Sequence, residues 1–296
     1  MPCTEKSIEM HSKATLALIL ILAGGLATEN AFAASEDGDT GSSIYDSNFT
    51  MALGGFFPQV NSTLTLSSPG GRGTEISAED DLGLDSRANS AWLSFNWRFQ
   101  PRHTFHVEWF QLNRKGSQIA DRSMTIFDTT IGAGASTSSS IEFNLGRTTY
   151  GYSNIRDKKF DLSILAGMHI ATVKATVTAS GNVSVDGVPV VGGAVTESTS
   201  TYTFPLPHVG GSMAYEFTPK LSGKLMLLGF ALDLGDYSGS LIEADAFMAY
   251  QLSKHFGIGG GLKYFNLNLQ ANTSRGGHAE YNYQYFWPTI FGYATF

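Results

Sequence analysis

Between Ser90 and Phe99 the chain alternates apolar and polar residues, and few folds accommodate such a run. Ala91, Leu93, Phe95, Trp97 and Phe99 share one face, while Ser90, Ser94, Asn96 and Arg98 share the other, with Trp92 the one exception. A period of two places successive side chains on opposite faces of a strand, so the run predicts a strand with one apolar and one polar side. After Gln100-Pro101-Arg102 the pattern resumes, Phe105, Val107 and Trp109 opposing Thr104, His106 and Glu108. It returns from Phe160 to Ile170 and from Ile242 to Leu252. Phe256, Ile258, Leu262 and Tyr264 then oppose Gly257, Gly259, Gly261 and Lys263.

These runs exceed the five or six residues usual in soluble sheets, and a tilted strand needs about 9–11 residues to cross a bilayer. The connections fall into two kinds. Very short turns are expected at Gln100-Pro101, Arg156-Asp157-Lys158, Thr218-Pro219 and Ser253-Lys254. Longer Gly/Ser/Thr-rich segments lie near 58–89, 115–139, 179–201, 235–240 and 271–280, alternating with the short turns along the chain. Short turns on one side and long loops on the other are the pattern of a transmembrane barrel. Ten strands are counted: 48–57, 90–99, 103–114, 140–154, 159–178, 202–217, 220–234, 240–252, 255–270 and 281–296. The expected fold is all-β, a single antiparallel up-and-down transmembrane β-barrel with both chain ends in the periplasm. Two strands are irregular. In 140–154 the apolar phase is odd at Ile141, Phe143 and Leu145 and even at Tyr150 and Tyr152, which a bulge near Gly146 would explain. Pro205 and Pro207 are poor ladder members unless they lie above the membrane.

The start of the chain reads as a secretory signal. An apolar run from Ala14 to Leu26 follows His11 and Lys13 and precedes Ala31-Phe32-Ala33. It is too short for a membrane-spanning helix, and the small-x-small site predicts cleavage before Ala34. The chain then divides into a signal at 1–33, a short periplasmic segment at 34–47 and a barrel at 48–296. The 19 basic residues less Lys6 and Lys13, and the 26 acidic less Glu5, Glu9 and Glu29, leave 17 against 23, a formal charge of −6. That balance offers no basic patch for nucleic acid. Cys3, the one cysteine, leaves with the signal, so no disulfide or thiolate chemistry is expected.

The chain closes on aromatic-rich Tyr281, Tyr283, Tyr285, Phe286, Trp287, Phe291, Tyr293 and Phe296. A last strand ending on Phe resembles the carboxy-terminal signal of bacterial outer-membrane barrels. The resemblance is to the broad class of small outer-membrane β-barrel proteins, from about Asn48 onward, and it extends to Thr74–Leu112 with Asp80-Asp81-Leu82-Gly83 and Pro101-Arg102-His103. It implies outer-membrane lipid as surroundings and the barrel-insertion machinery as a partner, engaged through the strand ending at Phe296. Ala294 departs from the pattern, since an aromatic or large apolar residue is typical there. Pro288 and aromatics on both faces leave the register of this strand open.

Polar-face residues of a barrel point inward. The expected lumen network is Arg98, His106, Glu108, Asp161, His169, Glu243, Asp245 and Lys263. Both signs are present, which suits ion pairs that fill and brace a narrow interior better than an acid–base site. Glu79-Asp80-Asp81 and Asp85 lack calcium-loop spacing and read as a solvated acidic loop. The histidines at 103, 106, 169, 208 and 255 show no metal spacing, and His103 and His255 adjoin short turns. No G-x-S-x-G elbow is present. His208 lacks the Asp two residues earlier that a ten-stranded omptin protease would carry. Gly259-Gly260-Gly261 would give the lumen room. The sequence therefore points to a non-enzymatic envelope component without cofactor, metal or catalytic residues, either a narrow pore or a presenter of surface loops whose ligand is unknown. The alternative is a barrel hydrolase acting on lipid or protein.

Overall fold

The computed structural model describes residue 44 and residues 47–67, 73–198, 202–233, 237–272 and 277–296. The expected signal at 1–33, its cleavage site and Cys3 lie outside the described residues, as does most of 34–47. The chain opens with β1 (Phe49–Phe56), β2 (Gln59–Ser67) and the short β3 (Glu75–Ser77). β4 (Ser90–Gln100) and β5 (His103–Ile119) follow, then β6 (Met124–Ile126) and β7 (Thr129–Ile131). The longest strands are β8 (Ser136–Arg156) and β9 (Phe160–Ser180), at 21 residues each. After β10 (Val183–Val185), β11 (Val188–Pro189) and β12 (Ala194–Ser198) come β13 (Tyr202–Thr218) and β14 (Leu221–Asp233). β15 (Tyr237–Gln251), β16 (Phe256–Asn272) and β17 (His278–Thr295) complete the chain.

Among the described residues, ten strands pair antiparallel in the order β1, β4, β5, β8, β9, β13, β14, β15, β16, β17. β17 pairs back onto β1, from Thr50 opposite Thr295 to Phe56 opposite Thr289, and closes the ring. Closure leaves no open sheet edge for lipid to meet. β2 continues β1 in the same register, Gln59 lying opposite Phe286. The first wall strand therefore runs on to Ser67, with a break at Phe57-Pro58. Pro288 of β17 sits beside that break, where a missing N–H costs little, and β17 runs through it uninterrupted.

Several long segments expected as loops are strand instead. The 115–139 and 179–201 segments lose their ends to β5, β8 and β9, β15 takes in residues 237–240 of the segment near 235–240, and β16 and β17 take in 271–272 and 278–280 of the one near 271–280. Ser- and Thr-rich sequence was read as loop, yet hydroxyl and β-branched residues pair well in strands that stand in water. The bulge expected near Gly146 is absent. β8 keeps one phase from Thr137 to Ser153, and its irregularity falls between Ser153 and Ile155.

The solvent changes along β8 while the phase does not. Near the short turns Tyr150 and Tyr152 point outward, and Arg147, Thr149 and Ser153 point inward. Toward the far end Asn144, Glu142 and Ser140 point outward, and Leu145, Phe143 and Ile141 are buried inside. β9 repeats this, with Leu162, Ile164 and Ile170 outward below Thr172, Lys174 and Thr176, and His169 inward below Ala171, Val173, Ala175 and Val177. β16 does the same at the step from Tyr264 to Asn266. The apolar outer belt thus covers one half of the wall, and the apolar interior fills the other. A crossing needs about 9–11 residues, so strands of 21 residues carry roughly half their length beyond the lipid.

That projecting half packs like a soluble protein. Two of the long connections fold into a small sheet of order β11-β10-β7-β6. Its β10–β11 turn is Asp186-Gly187, both at positive φ (50° and 77°), the geometry of a two-residue hairpin turn. Ile126, Ile131, Met124 and Val183 of this sheet pack with Ile76, Leu82, Ile141 and Val177 into an apolar cluster over the barrel end.

Candidate functional site

The register places the inward charges at one level of the wall. Glu108 on β5 lies opposite Arg147 on β8, Arg147 opposite His169 on β9, and Asp245 on β15 opposite Lys263 on β16. The Arg147 guanidinium donates to Glu108 Oε2 at 2.7 Å and to Glu243 Oε1 at 2.5 Å, with Asp245 Oδ2 at 3.4 Å. Lys263 Nζ contacts Glu108, lies 3.3 Å from Glu243 and 3.2 Å from Asp245, and faces the rings of Trp92, Phe247 and Trp287 at 5.6–5.8 Å. His169 Nε2 is 2.7 Å from Glu243 Oε2, and His208 bridges His169 (3.0 Å) to the Thr149 hydroxyl (3.1 Å). Two fixed cations, Arg147 and Lys263, thus meet three carboxylates, and His169 contacts one of the three, Glu243.

Of the sequence-predicted set, Glu108, His169, Glu243, Asp245 and Lys263 come together here. Arg98 and Asp161 form a separate pair near the short turns, at 2.9 Å, with the Ser163 hydroxyl donating to Asp161 at 2.7 Å. His106 stands between the two groups, 3.0 Å from the Ser94 hydroxyl, on the wall of a cavity of about 100 Å³ shared with Asn96, Thr149 and Lys224. Sequence reasoning missed Arg147, the hub, because the assumed bulge at Gly146 hid its phase. It also missed His208 and Lys224.

Above the cluster the lumen is packed shut. Phe265 stacks on Tyr285 at 4.6 Å, Tyr285 meets Trp287 at 4.0 Å, and Phe143 stacks on Tyr283 at 4.5 Å. Phe110 meets Trp287 edge-on at 5.6 Å. The room expected from Gly259-Gly260-Gly261 is taken at Gly259 by the Phe291 ring, against which an added Cβ would clash, and at Gly261 by the Ala246 backbone and the Phe247 ring. The C-terminal aromatics expected on both faces lie mostly inward, with Phe286 the exception within the strand.

The acidic segment is less solvated than its sequence suggests. Glu79 pairs with buried Arg114 and accepts from the Ser62 amide at 2.9 Å. Asp81 takes a two-pronged contact from Arg122 (2.8 and 2.5 Å), and that hydrogen-bonded partner holds its carboxyl below the ordinary range. Among the described residues no group of His, Cys, Asp or Glu could hold a metal. His103 contacts the Tyr150 hydroxyl within an aromatic group at the short-turn rim, and His255 stacks on Phe296.

No protein-family model matches the sequence, and no curated protein matches it. Solved structures that do match include the outer-membrane protease OmpT of Escherichia coli, at 12% identity over 83% of this chain and 97% of that one, TM-score 0.48. OprG of Pseudomonas aeruginosa matches at 8% identity, over 84% and 97%, TM-score 0.36. Ail of Yersinia pestis matches at 8%, over 83% and 98%, TM-score 0.31. The class rests on the chain's own geometry: a closed antiparallel ring, an apolar outer belt and a polar interior at the same level define a bacterial outer-membrane β-barrel.

Proposed function

We propose that the protein is a non-enzymatic barrel, closed to solutes, that holds a folded cap outside the cell with its short turns and both chain ends in the periplasm. The observation that carries this reading is the filled interior: Phe110, Phe143, Phe265, Leu267, Tyr283, Tyr285 and Trp287 are each at most 1% exposed. A packed core excludes even water-sized solutes, which weighs against the narrow pore. The His169–Glu243 contact is sealed with it, out of a substrate's reach, which weighs against hydrolysis at that site. Long connections on the outer side and short ones on the inner side support the orientation. Purified protein in planar bilayers should give no conductance steps, and a reproducible step would restore the pore.

A further inference from the structure

On the outer wall, directly above the apolar belt, lies a groove of about 530 Å³. Gln59, Asn61, Asp80, Asp85 and Gln284 line it, with Phe286 at its lower edge. Three features point to one ligand chemistry. First, the lining presents carboxamides, which donate and accept at once, beside carboxylates that accept. That mixture matches a hydroxyl-rich, uncharged molecule, whereas a phosphate would meet Asp80 and Asp85. Second, the groove is held in shape: Val60 N donates to Ser86 O at 2.8 Å, Gln59 bridges to Arg87, and β2 pairs with β17. A preformed site loses little to ordering on binding, and the volume lies within the range of ligand pockets. Third, half-exposed Phe286 belongs to the lipid-facing row with Ile290. A molecule in the groove therefore stands with its foot at the membrane surface. Beyond the groove the outward face continues as Asn282, Asn266 and Asn268, a further uncharged amide surface.

We infer that this groove binds neutral sugar units borne by outer-leaflet glycolipid, an inference that rests on the orientation proposed above. Detergent-solubilised protein would be titrated with lipopolysaccharide carrying core sugars, with lipid A lacking them, and with the free core oligosaccharide. The core-bearing glycolipid should bind about ten-fold more tightly than lipid A, and Asn61→Ala with Gln284→Ala should remove about that factor, as loss of one or two hydrogen bonds would. Gln59→Ala should weaken binding in part. Gln111→Ala, on the outer face of β5, should leave it unchanged. Equal affinity for lipid A, or an unaffected double variant, overturns the site. Free oligosaccharide binding as tightly as intact glycolipid overturns the membrane-borne source. Labelling of Val191→Cys on intact cells by an impermeant thiol reagent reports orientation separately. No labelling there, with sugar binding intact in the purified protein, would reject the orientation and not the groove.

Discussion

The two halves of this barrel solve opposite problems with the same alternating strand. In the lipid half the outside is apolar and the inside holds Arg147, Lys263, Glu108, Glu243 and Asp245. In the projecting half the outside carries Asn144, Glu142 and Lys174, and the inside is Phe143, Leu145, Val173 and Val177. Only the surroundings differ. Lipid removes the penalty for exposed apolar groups and charges heavily for polar ones, while water does the reverse. The lipid half must therefore hold its interior with ion pairs, and the other half can use ordinary hydrophobic burial. The changeover occurs at one level of the wall, where the charge cluster meets the aromatic packing.

The sharpest way to break that comparison is to remove a hub from each side. Arg147→Met leaves three carboxylates facing Lys263, and breaking a buried pair this way costs roughly 3–5 kcal/mol. Leu145→Ala, two residues along β8, opens a cavity at a cost of about 2–5 kcal/mol. Equilibrium unfolding in lipid or detergent should show both losses. They should separate with pH: acid should relieve the Arg147→Met deficit by protonating an uncompensated carboxylate, and should leave the Leu145→Ala deficit unchanged. A pH-independent deficit in both would mean that the cluster is held by packing and not by charge.

The outer surface offers a second contrast of smaller size. Ala166 on β9 and Asn144 on β8 both point outward, one within the apolar belt and one beyond it. Ala166→Arg should cost roughly 2–4 kcal/mol, the depth-dependent penalty for a charge facing lipid. Asn144→Arg should stay within about 0.5 kcal/mol, as surface substitutions do. Similar losses at both positions would erase the boundary drawn here.

Legibility from sequence follows the same division. β4, β15 and β16 were readable because their apolar residues face lipid over most of their length, and the ten-strand count came from them and the short turns. The projecting ends were not, since the apolar phase passes from the outer to the inner face there. In β8 that passage looks like a bulge at Gly146, and the misreading hid Arg147. In Ser136–Ser140 the same water-facing chemistry looks like a loop. Trp92, the exception on a polar face, and the aromatics on both faces of the last strand were the signs in the sequence that this interior is partly aromatic. The Trp92 ring lies 5.5 Å from Phe291. The pairing of Glu79 with Arg114 joins residues 35 apart, and no local pattern announces it.

The smallest effect concerns how the cap segment is tied to the wall. Arg122 grips Asp81 with two hydrogen bonds and also donates to the Glu75 carbonyl at 2.7 Å, while the Ser77 amide donates to Asp81 at 2.8 Å. The backbone turns just after this through Gly83, at φ 67°, and presses against Gly116, where a Cβ would lie 2.1 Å from the Gly83 oxygen. Arg122 is half exposed, so the pair is a surface pair, and such pairs contribute at most about 1 kcal/mol. Because Arg122 lowers the Asp81 carboxyl below its ordinary 3.8, the contribution is complete above that value and is lost as pH falls through the lowered one. Amide exchange at Ser77 and Asp81 should therefore quicken modestly in acid, relative to exchange in the β8–β9 ladder, after correction for intrinsic rates. Asp81→Asn should show the faster exchange already at neutral pH and lose the acid response, and high salt should weaken the wild-type protection. Protection in Asp81→Asn equal to the wild type at neutral pH would assign the anchoring to the Gly83–Gly116 backbone contact instead of the ion pair.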